Sequence, residues 1–290
     1  IYLDIARSST YLDQFLNPEF APKTEEDIAY LRQFQAITYQ FSYERPGLLY
    51  THAYFVHNPI YKEVSYSLWE LALDAPARMK PIIVRNHYTN AKEIFIQDEK
   101  NTIYLISNSG KVLWKRSLSE PILSDVTQID VYANNKLQLL FNTKSKLFLI
   151  DRNGHDVPGY SVELEEKATT GLTCLDYSGN NKYRILIPAE NGVLYDFDND
   201  GKTVKGWKHK NEEQNIAHPI IYFSIKNKDY LAARLEDGTV KAYDRRGRVR
   251  IEPFKEKVTA RPTQSVLTKG NAINTTYLTV TDSSGTVNTL

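Results

Sequence analysis

Cysteine and long apolar runs are the features that this sequence has least of. The 290 residues include one cysteine, Cys174, which forbids an intrachain disulfide and excludes any cluster of cysteine metal ligands. No run of about 18 apolar residues occurs, so the sequence predicts no membrane-spanning helix. The chain begins at Ile1 rather than Met, and we therefore expect any signal peptide or membrane anchor to lie upstream.

An excess of charge of either sign is also missing. Lys and Arg number 36 and Asp and Glu number 35, which gives a formal net charge of +1. This balance excludes binding to nucleic acid or to an anionic membrane driven by overall charge, so no nucleic-acid partner is expected. Apolar residues make up 41% and charged residues 24% of the chain, which is typical of a folded globular protein.

The sequence contains an internal repeat. An apolar strand runs into a turn ending in glycine in four segments, and a fifth copy, Val287–Leu290, stops at the last residue; the four are Ile103–Gly110, Leu147–Gly154, Leu194–Gly201 and Val240–Gly247. Their first residues are 44, 47, 46 and 47 positions apart. A period of ~45 residues with short strands is the length of one four-stranded propeller blade.

Further strands surround each copy. Polar turns between an upstream apolar run and the copy, such as Asn191-Gly192 and Asp237-Gly238, suit β-hairpins because Asn, Asp and Gly tolerate positive φ. A bulky residue follows the glycine turn and marks a predicted fourth strand; it is Trp114, Tyr160, Trp207 or Ile251.

Two incomplete units stand at the ends of the repeat. Trp69 lies 45 residues before Trp114, in a segment that matches the fourth strand of a blade but is not preceded by the other three strands. The last unit, 263–290, has the first three strands and lacks the fourth. We predict that 64–73 pairs beside 287–290 and closes a ring, which removes two open sheet edges. The predicted fold over 63–290 is therefore mainly β, a five-bladed β-propeller of four-stranded antiparallel blades.

Residues 1–62 do not share the repeat and predict a small α+β extension. Acidic residues and then apolar residues at helical spacing predict a helix over 25–36, and another is predicted over 5–16. Two β-rich runs, 37–43 and 48–57, flank an Arg-Pro-Gly turn and predict a hairpin. So few residues indicate the end of a larger, truncated domain.

The segment Gly110-Lys-Val-Leu-Trp114, after an apolar strand, resembles the tryptophan-docking repeat of pyrroloquinoline-quinone-type (PQQ-like) propellers. Gly201–Trp207 is a looser copy, and the resemblance covers about residues 66–290, with Tyr160 and Ile251 in place of Trp. That family includes quinone-dependent dehydrogenases and non-catalytic scaffolds such as the lipoprotein of the outer-membrane β-barrel assembly machinery. The order of helix, hairpin and propeller is similar to an uncharacterised Bacteroidetes-type envelope family.

The resemblance implies a β-propeller and no particular reaction. Quinone-dependent members use more blades, a calcium ion and often paired cysteines, whereas this chain has Cys174 alone. No G-x-S-x-G motif and no phosphate-cradling glycine loop occurs in the sequence. We therefore expect no catalytic residues, no cofactor and no enzyme activity, and we interpret Cys174 as a small buried side chain on an inner strand.

Two metal sites, one for calcium and one for zinc, are conceivable from the sequence, but simpler interpretations are favoured. Asp196-Phe-Asp198-Asn-Asp200-Gly201 matches the start of a calcium loop, but Trp207 stands where a bidentate Glu is needed, so the pattern favours a plain turn. A zinc site is not favoured because the histidines are scattered: His52, His57, His87, His155, His209 and His218.

Basic and aromatic residues are the remaining binding candidates. Lys202–Lys210 and Arg245–Arg250 either form a stripe for an acidic partner or phosphate backbone, or are solvated turns and edge strands. The balanced total charge favours the second interpretation. Strand tyrosines suit a binding rim or a half-buried sheet surface; they are Tyr104, Tyr183, Tyr195, Tyr222, Tyr230, Tyr243 and Tyr277.

The leading hypothesis is a non-enzymatic β-propeller scaffold that binds a protein partner in the cell envelope or periplasm of a Gram-negative bacterium. Its binding surface is expected on one flat face, where loops of several blades converge. The alternative is a protein or enzyme that binds a small molecule or glycan in the central channel, which clustered carboxylates there would favour.

Overall fold

The computed structural model describes residues 2–4, 33–45, 48–57, 67–255, 262–282 and 284–289. The chain divides into two compact units, 1–68 and 69–290. The regular secondary structure of the described residues is almost entirely β, with two short 3-10 turns at Glu190–Gly192 and Ile273–Thr275. Within these ranges no helix is long and apolar enough to cross a membrane.

The first unit carries a three-stranded antiparallel sheet. Its strands, in sheet order, are β1 (Tyr2–Asp4), β2 (Phe34–Arg45) and β3 (Leu48–His57). β2 and β3 form the predicted hairpin, in which Arg45 pairs with Leu48 next to the turn and Phe34 pairs with His57 at the far end.

The predicted helix over 25–36 is wrong at its C-terminal end. Residues 34–36 belong to β2, and their backbone lies beside β3, while Ala36 also pairs with Asp4 of β1. Pairing with segments distant in sequence outweighs a local helical spacing, which a short apolar pattern cannot reveal. Residues 25–32 and the predicted helix over 5–16 lie outside the described residues.

The second unit is a succession of antiparallel sheets, which we name blades 1 to 5 in chain order. Blade 1 consists of β4 (Ile82–Arg85), β5 (Lys92–Gln97), β6 (Thr102–Ile106) and β7 (Val112–Ser117). Blade 2 consists of β8 (Thr127–Ile129), β9 (Gln138–Asn142), β10 (Lys146–Ile150) and β11 (Val162–Glu163). Blade 3 consists of β12 (Thr173–Leu175), β13 (Arg184–Pro188) and β14 (Leu194–Phe197).

The last two blades follow the same plan. Blade 4 consists of β15 (Ile221–Ile225), β16 (Lys228–Arg234), β17 (Thr239–Tyr243) and β18 (Val249–Lys255). Blade 5 consists of β19 (Pro262–Thr268), β20 (Tyr277–Asp282) and β21 (Val287–Thr289). Each sheet is an antiparallel meander, which confirms the mainly β fold with blades repeated every ~45 residues.

The core lies between consecutive sheets. The middle strands are apolar on both faces because a neighbouring blade covers each side. The four largest apolar clusters of the described residues each join side chains of two neighbouring blades: Phe95 with Phe141, Leu149 with Ile185, Leu186 with Leu231, and Phe223 with Leu267. Burial of one such side chain stabilises the fold by roughly 1.5–3 kcal/mol.

A tryptophan ring from the preceding segment of the chain also covers the glycine turn of blade 1 and that of blade 2. The ring of Trp114 covers Gly154, where an added Cβ would lie 3.0 Å from a ring carbon, and Trp69 covers Gly110 at 2.6 Å. The indole N–H of Trp114 donates to the carbonyl of Arg152, two residues before the glycine, at 2.6 Å. Trp69 donates to the matching carbonyl of blade 1 at 2.9 Å.

The glycine turns share one hydrogen-bond pattern. A side-chain oxygen at the start of each turn accepts the backbone N–H groups two and four residues later, and the four starting residues are Ser107, Asp151, Asp198 and Asp244. The glycine stands between these two N–H donors at positive φ, which a residue with a Cβ tolerates poorly. The turn therefore has one shape in blades 1 to 4, and it presents a flat surface to an incoming ring.

Blade 3 departs from the predicted four strands. The prediction of a strand at Trp207 is wrong, because the only pairing of that segment within the described residues is a single bridge between Phe197 and Thr203. Gly206, at φ +87°, turns the chain away, and the N–H of Trp207 donates to the Val204 carbonyl at 3.1 Å. This tight turn prevents the extended backbone that a fourth strand needs.

Ring closure stays a prediction. Trp69 relates to blade 1 as Trp114 relates to blade 2, which is the geometry expected for the outer segment of a preceding blade. Residues 67–73 carry no strand, and β21 pairs with β20 in the part of the chain that the structure describes. The predicted pairing of 64–73 with 287–290 includes residues 64–66 and 290, which lie outside that part.

Replacement of Gly154 by Ala tests the docking contact. A Cβ at φ +85° would meet the Trp114 ring, whereas the same change at Gly206, at φ +87°, meets nothing within 4 Å. We expect Gly206→Ala to lower the free energy of unfolding by about 1 kcal/mol through backbone strain alone. Gly154→Ala should lower it by about 1–3 kcal/mol more, measured by urea denaturation. Equal losses in the two variants would contradict the docking contact.

Candidate functional site

The two basic stretches meet in one cleft between blades 3 and 4, which we name the basic cleft. It has a volume of about 470 Å³ and is lined by Arg184, Val204, Lys205, Gly206, Trp207, Lys208, Arg245 and Arg246. It lies at the end of the sheets where the glycine turns stand, since Arg245 and Arg246 belong to the turn between β17 and β18. Both basic stretches are binding candidates in the sequence. Arg184 is not, because it lies on a different strand, β13.

Backbone hydrogen bonds hold the two walls of the cleft together. The N–H of Lys208 donates to the Arg246 carbonyl at 2.8 Å, so the outer segment of blade 3 follows the turn of blade 4. The Asp244 carboxylate accepts the N–H of Arg246 at 2.8 Å and fixes that turn. The walls are therefore set by the repeat itself.

Two of the five cations that line the cleft are neutralised by buried carboxylates. Arg184 pairs with Asp196, with a 2.9 Å bond from Nε, and Asp196 is buried. Arg245 pairs with buried Asp229 and lies over the ring of Tyr177, 4.4 Å from its centroid. The hydrogen bond to Asp229 raises the pKa of the Arg245 guanidinium above its ordinary value. These two arginines are structural, because removal of either would leave a carboxylate buried without its charge partner.

The other three cations are exposed and available. Lys205, Lys208 and Arg246 make no ion pair within the described residues. Half-buried Trp207 stands between the two lysines and lines the same cleft. The cleft therefore contains three available positive charges and one aromatic side chain, which suits an anionic ligand with some apolar surface.

A buried polar network supports the floor of the cleft. The side chain of His209 is 2% exposed, and its imidazole stacks on Trp207 with centroids 6.1 Å apart, while the backbone and Cβ of His209 lie against Gly247 of the next blade. Glu212 accepts hydrogen bonds from Lys241 and from the Tyr243 hydroxyl. Burial lowers the pKa of His209 to about 4, so this imidazole is neutral at pH 7. The network fixes the position of the Trp207 ring without adding charge to the cleft.

A second cavity lies by the first strands of blades 1 to 4. First strands of neighbouring blades contact each other: Gln128 of β8 and the Arg85 backbone of β4 make hydrogen bonds of 2.7 and 2.9 Å, and the Thr173 hydroxyl of β12 donates to the Ile220 carbonyl at 2.8 Å. The cavity has a volume of about 560 Å³ and is lined by 79–80, 82, 122–125, 127, 171–173 and 219. Lys80 and Asp125 are the only side chains that carry charge in this lining.

The aspartates of the calcium-like pattern in blade 3 are occupied by contacts within the protein or exposed to solvent. Asp196 pairs with Arg184, Asp198 accepts the backbone N–H groups of Asp200 and Lys202 at 3.0 Å each, and Asp200 is exposed. The same caps occur in the turns of blades 2 and 4, which supports the interpretation of a plain turn. Among the described residues no group of three or more His, Cys, Asp or Glu side chains could hold a metal ion.

The histidines are separated in the structure as in the sequence. His52 and His57 lie in β3 of the first unit, and exposed His155 lies 3.7 Å from Asp151 in a glycine turn. His87 accepts the N–H of Leu137 at 3.1 Å. His218 contacts Arg234 at 3.1 Å.

Cys174 and most of the strand tyrosines have structural environments. Cys174 lies in β12 against the core of blades 2 and 3, and burial raises the pKa of its thiol to about 12. Tyr104, Tyr230 and Tyr243 are buried, and Tyr183, Tyr195 and Tyr222 are half-buried with hydrogen-bonded hydroxyls, whereas Tyr277 is 44% exposed. These positions favour the interpretation of a half-buried sheet surface over that of a binding rim.

Replacement of His209 by Phe tests the buried network through pH. The unfolded imidazole takes up a proton near its ordinary pKa of 6.5, whereas the folded one does so only near 4. The free energy of unfolding should therefore fall as the pH drops from 6.5 to 4, by up to about 3 kcal/mol from this group. His209→Phe keeps a ring and should make that fall shallower, measured by urea denaturation across this range.

The control for this measurement is His155→Phe, which changes an exposed imidazole. It should leave the slope of stability against pH as in the wild type. A His209→Phe slope equal to that of the wild type would contradict the buried, neutral state of His209.

No protein-family model and no curated protein sequence matches this chain. Among solved structures, two crystal structures of BBS1N in complex with ARL6DN, soaked with lead and with mercury, are similar at 12% and 13% identity, with TM-scores of 0.52 and 0.51. They cover 72% and 74% of this chain, which in turn spans 65% and 66% of theirs, just under two thirds.

A structure of BamB from Moraxella catarrhalis is 15% identical, has a TM-score of 0.42, and covers 88% of this chain and 78% of its own. The likeness to BBS1N shows that the described sheets form a β-propeller fold, and at this identity it shows the fold alone.

Proposed function

We propose that this chain is a non-enzymatic β-propeller scaffold that binds a protein partner in the bacterial cell envelope. The observation that carries the proposal is the basic cleft, which Lys205, Lys208 and Arg246 line together with Trp207. Tryptophan and arginine are enriched among the residues that dominate the energy of protein interfaces. The cleft stands on the face that carries the glycine turns, where loops of several blades can contact one partner.

The propeller fold supports a protein partner. The structures of BBS1N were determined in complex with another protein, ARL6DN. Consecutive sheets that pack face to face give a rigid surface, and a rigid surface loses little conformational entropy when it binds. A scaffold role needs only such a surface, with no reacting groups.

The envelope location and the PQQ-like type are the finer parts of the proposal. They are supported by the resemblance of the Gly110–Trp114 segment to the tryptophan-docking repeat, whose family includes an envelope scaffold. The docked rings of Trp69 and Trp114, each with its N–H on the carbonyl two residues before the glycine, support the same assignment.

The cavity by the first strands favours a second candidate function. Its volume of about 560 Å³ is in the range of small-molecule pockets, and Lys80 and Asp125 could orient a polar ligand. In this alternative the chain binds a small molecule or a glycan in the central channel.

Capture from the envelope fraction of the source cells, followed by reconstitution from purified components, tests the scaffold against this alternative. We expect one captured protein that, once purified, binds the chain at a fixed stoichiometry. A Lys80→Trp, Asp125→Trp variant, which fills the central cavity, should bind that protein as the wild type does.

Two results would overturn the scaffold proposal. One is that no captured protein binds the purified chain, while a glycan or metabolite raises the melting temperature of the wild type and not of the cavity-filled variant. The other is turnover of such a compound by the wild type. Recovery of the native protein in the cytoplasmic fraction would contradict the proposed location.

A further inference from the structure

We propose that the basic cleft binds an acidic, extended segment of the partner protein, rich in Asp and Glu, with an apolar side chain of that segment against Trp207. This inference rests on the proposed scaffold function and names the chemistry that the partner must bring.

The first argument is the charge that remains in the cleft after its internal ion pairs. Five cations line the cleft, and two of them, Arg184 and Arg245, are neutralised by Asp196 and Asp229. The other three cations leave a local charge of +3 on a chain whose net charge is +1. A partner that places two or three carboxylates in the cleft meets this charge with charge-assisted hydrogen bonds.

The second argument is that the available cations do not form a continuous row. Lys202 lies 3.9 Å from Asp200, and Arg248 pairs with Asp244 at 3.0 Å, so a compensated charge precedes Lys205 in one stretch and separates Arg246 from Arg250 in the other. A phosphate backbone needs a continuous row of available cations to bind well. A short run of carboxylates needs only one group of available cations, and the basic cleft contains such a group.

The third argument concerns the edge of β14. The Asp196 carbonyl accepts the N–H of Val204 at 2.8 Å, and the Leu194 carbonyl accepts the indole N–H of Trp207 at 2.8 Å. These bonds occupy the carbonyls that a ligand strand would use, so β-strand addition is blocked at this edge. The segment must therefore be recognised through its side chains, by charge and by contact with the Trp207 ring.

The fourth argument is that the floor is fixed before a ligand arrives. The Trp207 ring stacks on buried His209, and the backbone on both sides of the ring is held by hydrogen bonds. Only the ends of the three exposed side chains become ordered on binding, which limits the entropy that binding loses. The cleft thus combines a rigid aromatic surface with adjustable charges.

Fluorescence anisotropy with labelled peptides tests the inference. The probe is an acidic peptide of Asp and Glu residues with one Leu, and the control peptide has Asn and Gln in place of the acids. The cleft variant is Lys205→Gln, Lys208→Gln, Arg246→Gln. The control variant is Lys100→Gln, Lys111→Gln, Lys167→Gln, which removes the same charge from exposed lysines outside the cleft.

We expect the acidic peptide to bind the wild type and the control variant alike, and the cleft variant at least about tenfold more weakly. Affinity for the wild type should fall several-fold between about 50 and 300 mM NaCl, because screening weakens exposed charge pairs. The amide peptide should not bind. Since all six substituted side chains are exposed, both variants should keep the wild-type melting temperature.

Several outcomes would overturn the inference. Equal weakening in the two variants would mean a response to overall charge, and displacement of the peptide by a lower concentration of a single-stranded oligonucleotide would mean a phosphate-backbone ligand. If the captured envelope protein binds the wild type and the cleft variant equally, the inference fails and the scaffold function stands. If the peptide binds in the cleft but no captured protein binds the purified chain, the cleft chemistry stands and the scaffold function fails.

Discussion

The contact on which the second unit most depends is an aromatic ring that covers a glycine turn of the next blade. Gly154 has no Cβ and φ +85°, so the Trp114 ring approaches its backbone directly, and the indole N–H satisfies a carbonyl of the same turn. Face-to-face packing of sheets is non-directional and would allow neighbouring blades to slide. One directional hydrogen bond at the rim fixes their register. The glycine is therefore required on steric grounds at Gly110 and Gly154, where a Cβ would meet a tryptophan ring.

The basic cleft arises where this contact changes. In blade 3 the indole N–H of Trp207 donates to Leu194 of its own blade, and His209 lies against Gly247 in place of the Trp ring. The chain between them bends at Gly206 and does not form a fourth strand. Lys205 and Lys208 consequently stand on a turn, beside Arg246 of the next blade. A departure from the repeat thus removes a strand and leaves an open cleft in its place.

The sequence predicts the elements that recur in the repeat. Its predictions fail where contacts with residues distant in sequence determine the local structure. The spacing of the glycine turns predicts the succession of blades, and the Arg-Pro-Gly turn predicts the hairpin of β2 and β3. The helix predicted over 25–36 fails at 34–36 because strand pairing with other segments decides that backbone. In the cleft, the two basic stretches are visible in the sequence. Which cations stay available is not, because that depends on Asp196 and Asp229, which stand on other strands.

Paired and unpaired cations would contribute differently to the binding of a partner in the basic cleft. Arg184 and Arg245 are paired with buried carboxylates, so they shape the walls of the cleft while their charges are already neutralised. Lys205, Lys208 and Arg246 are exposed, and each loses rotamer freedom when it meets a carboxylate, about 1–2 kcal/mol per side chain. Their net gain per pair is therefore small, and their main effects are faster association and orientation of the partner. High affinity has to come from apolar contact, and Trp207 supplies that surface within the cleft. A partner selected here must match both the charges and the ring, which a purely acidic surface cannot do.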